Sequence, residues 1–309
     1  MDYIVIGAGS IGTRHAGNLT ALGASVTHIG WRACDLDTLR SRLAKDTCAV
    51  VIATATQIRL PIVRVCAATQ TPMYIEKPVA FDPAELEQIY DAAAPVAGRS
   101  VAGFMMRYHP VMQGLATRDL SDCYSFDFEI GHDVRQWRQN WRFTDSYAAQ
   151  AKGGGVLLDL CHELDMAHVL FPQARLSHVD CLGHAACPGV DVATRIGLTA
   201  PKGPVGTVAM DYLNPVSTRH MAIRGHTACA DIDLLVPEER WSNAPPRRHS
   251  FDRNDMFRAL MRDFMALATG HTPDTALLPR LDRVYAGCAL IADAWAARQF
   301  RGTTTGGIL

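Results

Sequence analysis

Residues 3–12 read Tyr3-Ile4-Val5-Ile6-Gly7-Ala8-Gly9-Ser10-Ile11-Gly12, a short apolar run that enters a G-x-G-x-x-G turn. A helical pattern over 11–22 follows at once. The order of strand, glycine turn and helix is what gives this spacing chemical meaning. The first glycine allows the tight turn, the second lets the backbone approach a pyrophosphate, and the third lets helix and strand pack closely. The helix N-terminus then presents N–H groups and a partial positive charge to phosphate oxygens. Gly7, Gly9, Ser10, Ile11 and Gly12 are therefore the expected dinucleotide contacts. The alternative is a glycine-rich turn with a structural role only.

Working outward, apolar strands at 25–29, 49–53, 73–75 and 100–104 alternate with helical patterns at 35–43, up to 68, and at 83–93. This alternation predicts a parallel α/β sheet, a Rossmann domain over 1–110. Asp35 is a plausible N-cap for the second helix. Between Gly30 and Ala49 there is room for one helix only. A parallel crossover takes a dozen or more residues, so the helix–strand unit that normally follows strand two is expected to be missing, with strand two at the sheet edge.

After Pro110 the pattern changes. Tyr124, Phe126, Phe128 and Ile130 alternate with polar residues, as a one-sided sheet requires. More such strands lie between 176 and 235, punctuated at Pro188-Gly189, at residues 201–204 and at Asn214-Pro215. Helices are predicted at 254–268 and 280–299, with a frayed tail over 302–309. Residues 111–309 thus read as an α+β domain with an open, largely antiparallel sheet, for substrate binding and oligomerisation. If helices cover one face only, a broad apolar face remains, and the expectation is a homodimer or homotetramer packed through that sheet.

The chain has 309 residues, 48% of them hydrophobic, and a net charge of −1. That suits two domains and gives nucleic acid no basic face to bind. The 9 cysteines are scattered and form no C-x-x-C pair, so neither a metal site nor a redox motif is indicated. Reduced thiols, no basic leader and no apolar run of membrane length give the expectation of a cytoplasmic protein with no membrane partner.

At the end of strand two, where dinucleotide folds place an acidic residue for the adenosine ribose, the sequence is Ile29-Gly30-Trp31-Arg32, with no carboxylate until Asp35. Arg32 is suited to a 2′-phosphate, and Trp31 or Arg32 to stacking on adenine, so NADP is expected over NAD. Residues 135–142 carry Arg135, Arg138 and Arg142 with Trp137 and Trp141. Such a loop can grip a sugar face by stacking and an acidic group by guanidinium forks, or it is a solvated or subunit-contact loop. Gly153-Gly154-Gly155 leads into a helical run in which Asp159 and His162 are three residues apart and share a face. A carboxylate that orients an imidazole is a general acid–base arrangement.

Four segments together make the chain resemble the Gfo/Idh/MocA oxidoreductases, the glucose–fructose oxidoreductase and inositol dehydrogenase relatives. They are the glycine turn; Ala53-Thr54-Ala55-Thr56 with Glu76-Lys77-Pro78; Gly103-Phe104-Met105-Met106-Arg107-Tyr108-His109-Pro110; and residues 153–165. Their order matches the family's, and the resemblance covers essentially the whole chain. It implies that Lys77 lies near the nicotinamide and the reacting hydroxyl, with Thr54, Thr56 and Glu76 also at the cofactor. It implies a cis bond before Pro78. It puts Arg107 and His109 near cofactor and substrate, although a domain-joining hydrogen-bond role fits them equally. His162 aligns with the family's histidine. The family usually has four residues from acid to histidine and this chain has three, so Asp159 is either the partner of His162 or a helix anchor. Asp165 is either a group behind the site or a contact to the sheet.

The implied function is an NAD(P)-dependent dehydrogenase or reductase, moving a hydride between nicotinamide and a CH–OH carbon of a sugar, polyol or activated sugar. Two other classes stand beside it. One is a non-catalytic dinucleotide-binding regulator or scaffold on the same fold. The other is a methyltransferase using S-adenosylmethionine, which the Glu76-Lys77-Pro78 strand end and the triple glycine fit poorly.

Overall fold

Strand β1 (Asp2–Ile6) carries Ile4, Val5 and Ile6 in full burial and pairs on both sides in parallel, with β2 (Ser25–Ile29) and β3 (Cys48–Ile52). The structure is a computed structural model that describes residues 1–46, 48–137 and 142–308. It has two units: Met1–His109 with Phe251–Ala289, and Pro110–Ser250 with Leu290–Leu309.

In the first unit, helix α1 (Ser10–Ala21) follows β1, and α2 (Leu36–Lys45) follows β2 with Asp35 accepting from the Thr38 N–H at 2.7 Å, the cap expected from its position. Helix α3 (Arg59–Ala68), β4 (Met73–Ile75), α4 (Pro83–Ala93) and β5 (Val101–Ala102) complete a sheet of order β2-β1-β3-β4-β5. Among the described residues no strand lies between β2 and β3, so the helix–strand unit is missing and β2 forms the edge, as the short spacing predicts.

The second unit opens with α5 (Pro110–Leu115) and β6 (Cys123–Gly131). Helices α6 (Val156–Asp159) and α7 (His162–Leu170) follow. Then come β7 (Arg175–His184), β8 (Cys187–Thr199), β9 (Val205–Asp211), β10 (Thr218–Gly225), β11 (Cys229–Asp233), β12 (Glu238–Trp241) and β13 (Arg247–Arg248). Phe126, Phe128 and Ile130 of β6 point into the core, where Phe171 stacks on Phe126 at 4.3 Å between centroids. Gly206 on the paired strand β9 makes room for the Phe126 ring: a Cβ there would lie 2.1 Å from it.

Helix α8 (Arg253–Ala268) returns to the first unit. Its Phe264 meets Tyr3 and Tyr74 edge-on, with centroids 6.2 and 5.9 Å away, and Phe257 meets His15. Helix α9 (Tyr285–Ala296) and β14 (Gln299–Thr304) end the chain. The predicted helix over 280–299 is thus shorter at both ends, with a 3-10 turn at Leu281–Arg283 before it.

Three expectations are corrected. The tail is not frayed from 302: β14 pairs in parallel with β7 and closes one edge of a sheet of order β13-β12-β11-β10-β6-β9-β8-β7-β14. Pairing with that open edge, the Arg301–Asp180 bond and Phe300 lying over Gly183 supply what the glycine-rich sequence lacks. Tyr124 does not join the apolar row. A register shift at the end of the β6–β10 pair takes it out of alternation and leaves it 49% exposed. The second face of this sheet is not a broad apolar surface either. Its rows carry Asp127 and Glu129 on β6, His220 and Arg224 on β10, Arg195 on β8 and Asp231 on β11. The apolar reason for assembly through this face therefore falls away. Among the described residues no helix is long and apolar enough to cross a membrane.

Candidate active site

The glycine turn has the geometry its spacing calls for. Gly7 has φ +130°, a conformation side chains disfavour, and a Cβ there would lie 2.3 Å from the Ala53 carbonyl oxygen. A Cβ on Gly12 would lie 1.9 Å from the Gly7 carbonyl oxygen, so helix and turn touch. Gly9 is different: nothing lies within 4 Å of the position its Cβ would take, which leaves the backbone approachable. Helix α1 begins at Ser10 with no side-chain cap and no acidic residue in its first turn. No side chain caps its start, and the turn fits a dinucleotide pyrophosphate.

After β2 the chain makes a 3-10 turn at Trp31–Ala33 with Arg32 exposed and Trp31 half-buried. A Cβ on Gly30 would make only ordinary contact, 3.6 Å from Ala8 Cβ, so sterics do not exclude a carboxylate there. The nearest one in sequence, Asp35, caps α2 and is held below the usual carboxylate range by the Thr38 side chain and N–H.

Lys77 sits in a clamped turn. The Lys77–Pro78 bond is cis, as the resemblance implies. Arg59 of α3, buried, donates to the carbonyls of Thr54 (2.8 Å), Glu76, Pro78 and Val79. Glu76, also buried, accepts the Lys77 N–H at 3.0 Å through Oε2, while its Oε1 lies 2.6 Å from His15 Nε2 and accepts from the Tyr74 hydroxyl. Burial alone would raise the Glu76 pKa. The His15 hydrogen bond and charge, with Lys77 and Arg59, outweigh it and hold Glu76 below its usual range. Thr56 is buried and Thr54 partly exposed; their hydroxyls engage Gln57 and the Ala55 carbonyl.

A lowered folded-state pKa contributes stability that is present above the unfolded value of about 4.3 and is lost as pH falls through the lower folded value. Acid titration of unfolding free energy should therefore show a fall below about pH 4.3 that is shallower in Glu76→Gln. An unchanged slope in the variant would contradict this account of Glu76.

In the second unit, Gly155 (φ +97°) turns the chain into α6, and a Cβ there would lie 2.1 Å from Asp191 Oδ1. Asp191, fully buried on β8, accepts the Leu157 N–H at 2.9 Å, the Thr194 hydroxyl at 3.0 Å and Arg298 Nη1 at 2.5 Å. One carboxylate so anchors the start of α6. The helix does not run through as the spacing predicts: α6 ends at Asp159 and α7 starts at His162, with Leu160 and Cys161 in a tight turn. Asp159 and His162 therefore lie on two short helices, and a shared face of one helix does not describe them. Asp159 Oδ1 accepts from the Tyr147 hydroxyl at 2.6 Å. Tyr212, buried, donates to the Gly155 carbonyl, and its pKa is well above the usual value through burial first and then the charge of Asp159. His162 is buried at the head of α7, and Asp165 is buried one turn on.

The Arg135 fork is engaged by Asp133, with bonds of 2.7 and 2.9 Å, which answers its sequence reading as a grip for an external acid. Trp137 packs 5.2 Å from His132 and edge-on to Tyr212 at 5.3 Å. Arg138 lies outside the described residues. Arg107 and His109 belong to the first unit; both are buried, Arg107 over the Phe104 ring and His109 against Phe251. Among the described residues no cluster of His, Cys, Asp or Glu is placed to hold a metal ion.

Sequence reasoning missed His15, Arg59, Tyr147, Asp191 and Tyr212. Only His15 carries a usable signal: it stands three residues past Gly12 on the helix face that meets the sheet.

No family model matches the chain, and no curated protein matches it in sequence. Several solved structures share its fold. The UDP-N-acetylglucosamine 3-dehydrogenase GnnA from Acidithiobacillus ferrooxidans superposes with TM-score 0.75 at 21% identity over 96% of both chains. Levoglucosan dehydrogenase in complex with NADH and levoglucosan gives 0.74 at 18% identity over 96% of both. An inositol dehydrogenase homolog from Azotobacter vinelandii complexed with NAD+ gives 0.74 at 16% over 95% of both. At these identities the likeness is one of fold.

Proposed function

We propose that this chain is an oxidoreductase of the Gfo/Idh/MocA type. It moves a hydride between a nicotinamide dinucleotide and the hydroxyl or carbonyl carbon of a sugar, polyol or activated sugar. The observation that carries the reading is the glycine turn: a buried parallel strand ends at Gly7, the helix after it starts uncapped, and the backbone at Gly9 is open to approach. Solved structures of the same fold that hold NADH, NAD+, levoglucosan or myo-inositol support it. In this reading residues 1–110 bind the dinucleotide and 111–309 the substrate.

When bound, the nicotinamide accepts or returns a hydride. Gly7, Gly9, Ser10, Ile11 and Gly12 hold its pyrophosphate, with Thr54, Thr56 and Glu76 lining the strand ends beside it. The Lys77 ammonium stabilises negative charge on the reacting oxygen. His162 takes or gives the hydroxyl proton through its imidazole. Asp159, which accepts from the Tyr147 hydroxyl, is the acid partner in this reading.

Fluorescence titration with NADH, NADPH and S-adenosylmethionine tests the class. Binding of a nicotinamide dinucleotide alone, followed by its reduction or oxidation with UDP-N-acetylglucosamine, levoglucosan or myo-inositol, supports the enzyme. Dinucleotide binding with no turnover of these or other sugars favours a regulator, and binding of S-adenosylmethionine alone refutes the reading.

We further propose that NADP is preferred, because Gly30 offers no carboxylate to repel a 2′-phosphate and Arg32 is exposed beside it. NADPH should then bind more tightly than NADH, and Arg32→Ala should erase the difference, since the lost contact is charge-assisted. Tighter NADH binding by the unaltered protein would refute it.

A further inference from the structure

His15 is a wholly buried histidine that the reaction outlined above does not use. It stands on α1, the helix whose first turn belongs to the phosphate-binding segment. Its ring lies 4.8 Å from the Tyr74 ring and 6.1 Å from Phe257, so its orientation is set by packing. Nε2 is 2.6 Å from Glu76 Oε1, and a carboxylate can only accept, so the proton of this bond belongs to Nε2. The other oxygen of the same carboxylate receives the Lys77 backbone N–H at 3.0 Å. Space for the carboxylate is reserved as well: a Cβ on Gly103 would lie 3.0 Å from Glu76 Cδ and Oε2. These contacts form one line, from helix α1 through His15 and Glu76 to the backbone of Lys77.

We propose that His15 is a positioning residue for Lys77, acting through the Glu76 carboxylate. The proposal rests on the oxidoreductase reading for its consequence, because only there does the placement of Lys77 govern a rate. The helix that meets the phosphates also fixes the residue that meets the reacting oxygen, so the two ends of the nicotinamide half of the ligand are registered by one rigid element. Arg59 clamps the carbonyls of the same turn from α3, and Glu76, itself held by His15, receives its N–H. A misplaced reacting group loses rate steeply, whereas the phosphate contacts, made by the turn itself, are untouched.

The test compares His15→Phe, which keeps a ring and removes the donor, with His15→Gln and His15→Asn. Gln carries an N–H at the reach of Nε2, and Asn only at that of Nδ1. Turnover is followed with whichever of UDP-N-acetylglucosamine, levoglucosan or myo-inositol the unaltered protein oxidises. His15→Phe should lower kcat about 10- to 100-fold, on the scale of a misplaced reacting group. The NADH or NADPH Kd should stay nearly constant. His15→Gln should recover most of the rate, and His15→Asn should not. Amide hydrogen exchange gives a readout that needs no substrate: the Lys77 N–H should exchange faster in His15→Phe and in His15→Asn, while β1 and β3 amides keep their protection. Unchanged kcat with unchanged Lys77 exchange overturns the proposal. So does a loss that His15→Gln does not repair, accompanied by faster exchange throughout the sheet, because that marks a merely structural histidine. If the unaltered protein binds no dinucleotide, the oxidoreductase reading fails by itself, and the exchange comparison still decides whether His15 holds the Lys77 backbone.

Discussion

Lys77→Ala and His162→Ala are each expected to lower kcat by two or more orders of magnitude, with dinucleotide affinity little changed. Loss of a positioned acid–base or charge-stabilising group typically costs about 10²–10⁴ in rate, and a factor of 100 corresponds to about 2.7 kcal/mol of barrier. For Lys77 the change is confined to the side chain. The backbone of its turn is tied by Arg59 at the carbonyls and by Glu76 at the N–H, none of which needs the ammonium. Lys77→Arg should not restore the rate, because a planar fork does not replace a compact charge at one oxygen. His162 is buried at the start of α7, so a melting curve must accompany the kinetics. Near-normal turnover in both variants would show that these side chains do not carry the chemistry.

Asp191→Ala is the substitution expected to cost most stability. The carboxylate is fully buried, and its partner Arg298 is 10% exposed. Removing it takes the counter-charge from the Arg298 guanidinium and the acceptor from the Leu157 N–H and the Thr194 hydroxyl. Breaking a buried pair from one side costs about 3–5 kcal/mol, much of it the penalty of the charge left behind. The urea midpoint of Asp191→Ala should fall accordingly. Pairing Asp191→Leu with Arg298→Met should recover part of the loss, since an apolar replacement of both partners leaves no buried charge. A cost under about 1 kcal/mol for Asp191→Ala, the range of exposed pairs, would show that water reaches the site.

Much of this fold is legible because its local rules agree. The strand at 25–29 and the helix at 83–93 are where periodicity puts them, and the missing crossover follows from chain length alone. The glycine turn is legible because each glycine answers a separate steric demand. What escapes the sequence is set by distant partners. Neither glycine nor proline marks the break at Leu160-Cys161, so a continuous helix is the natural reading. Alternation in β6 reveals the apolar rows but says nothing of the charges on the opposite face, which emerge only once the five strands from β11 to β8 lie side by side. The tail reads as loose because its glycines are counted without the open edge of β7. Asp191 and Arg59 act through backbone groups far along the chain, and no local spacing announces such bonds.

The return of α8 has a consequence for synthesis. Phe264 and Phe257 cover Tyr3, Tyr74 and His15, yet they are made only after the whole of residues 110–250. On the ribosome the first five strands therefore emerge and pair with one apolar patch unroofed, and they wait through the translation of an entire second sheet. That sheet waits in turn for β14, which is made after the rest of its strands, to cover the edge at β7. Each unit therefore needs a segment that is made after much of the other, so neither folds to completion as a simple N-terminal domain.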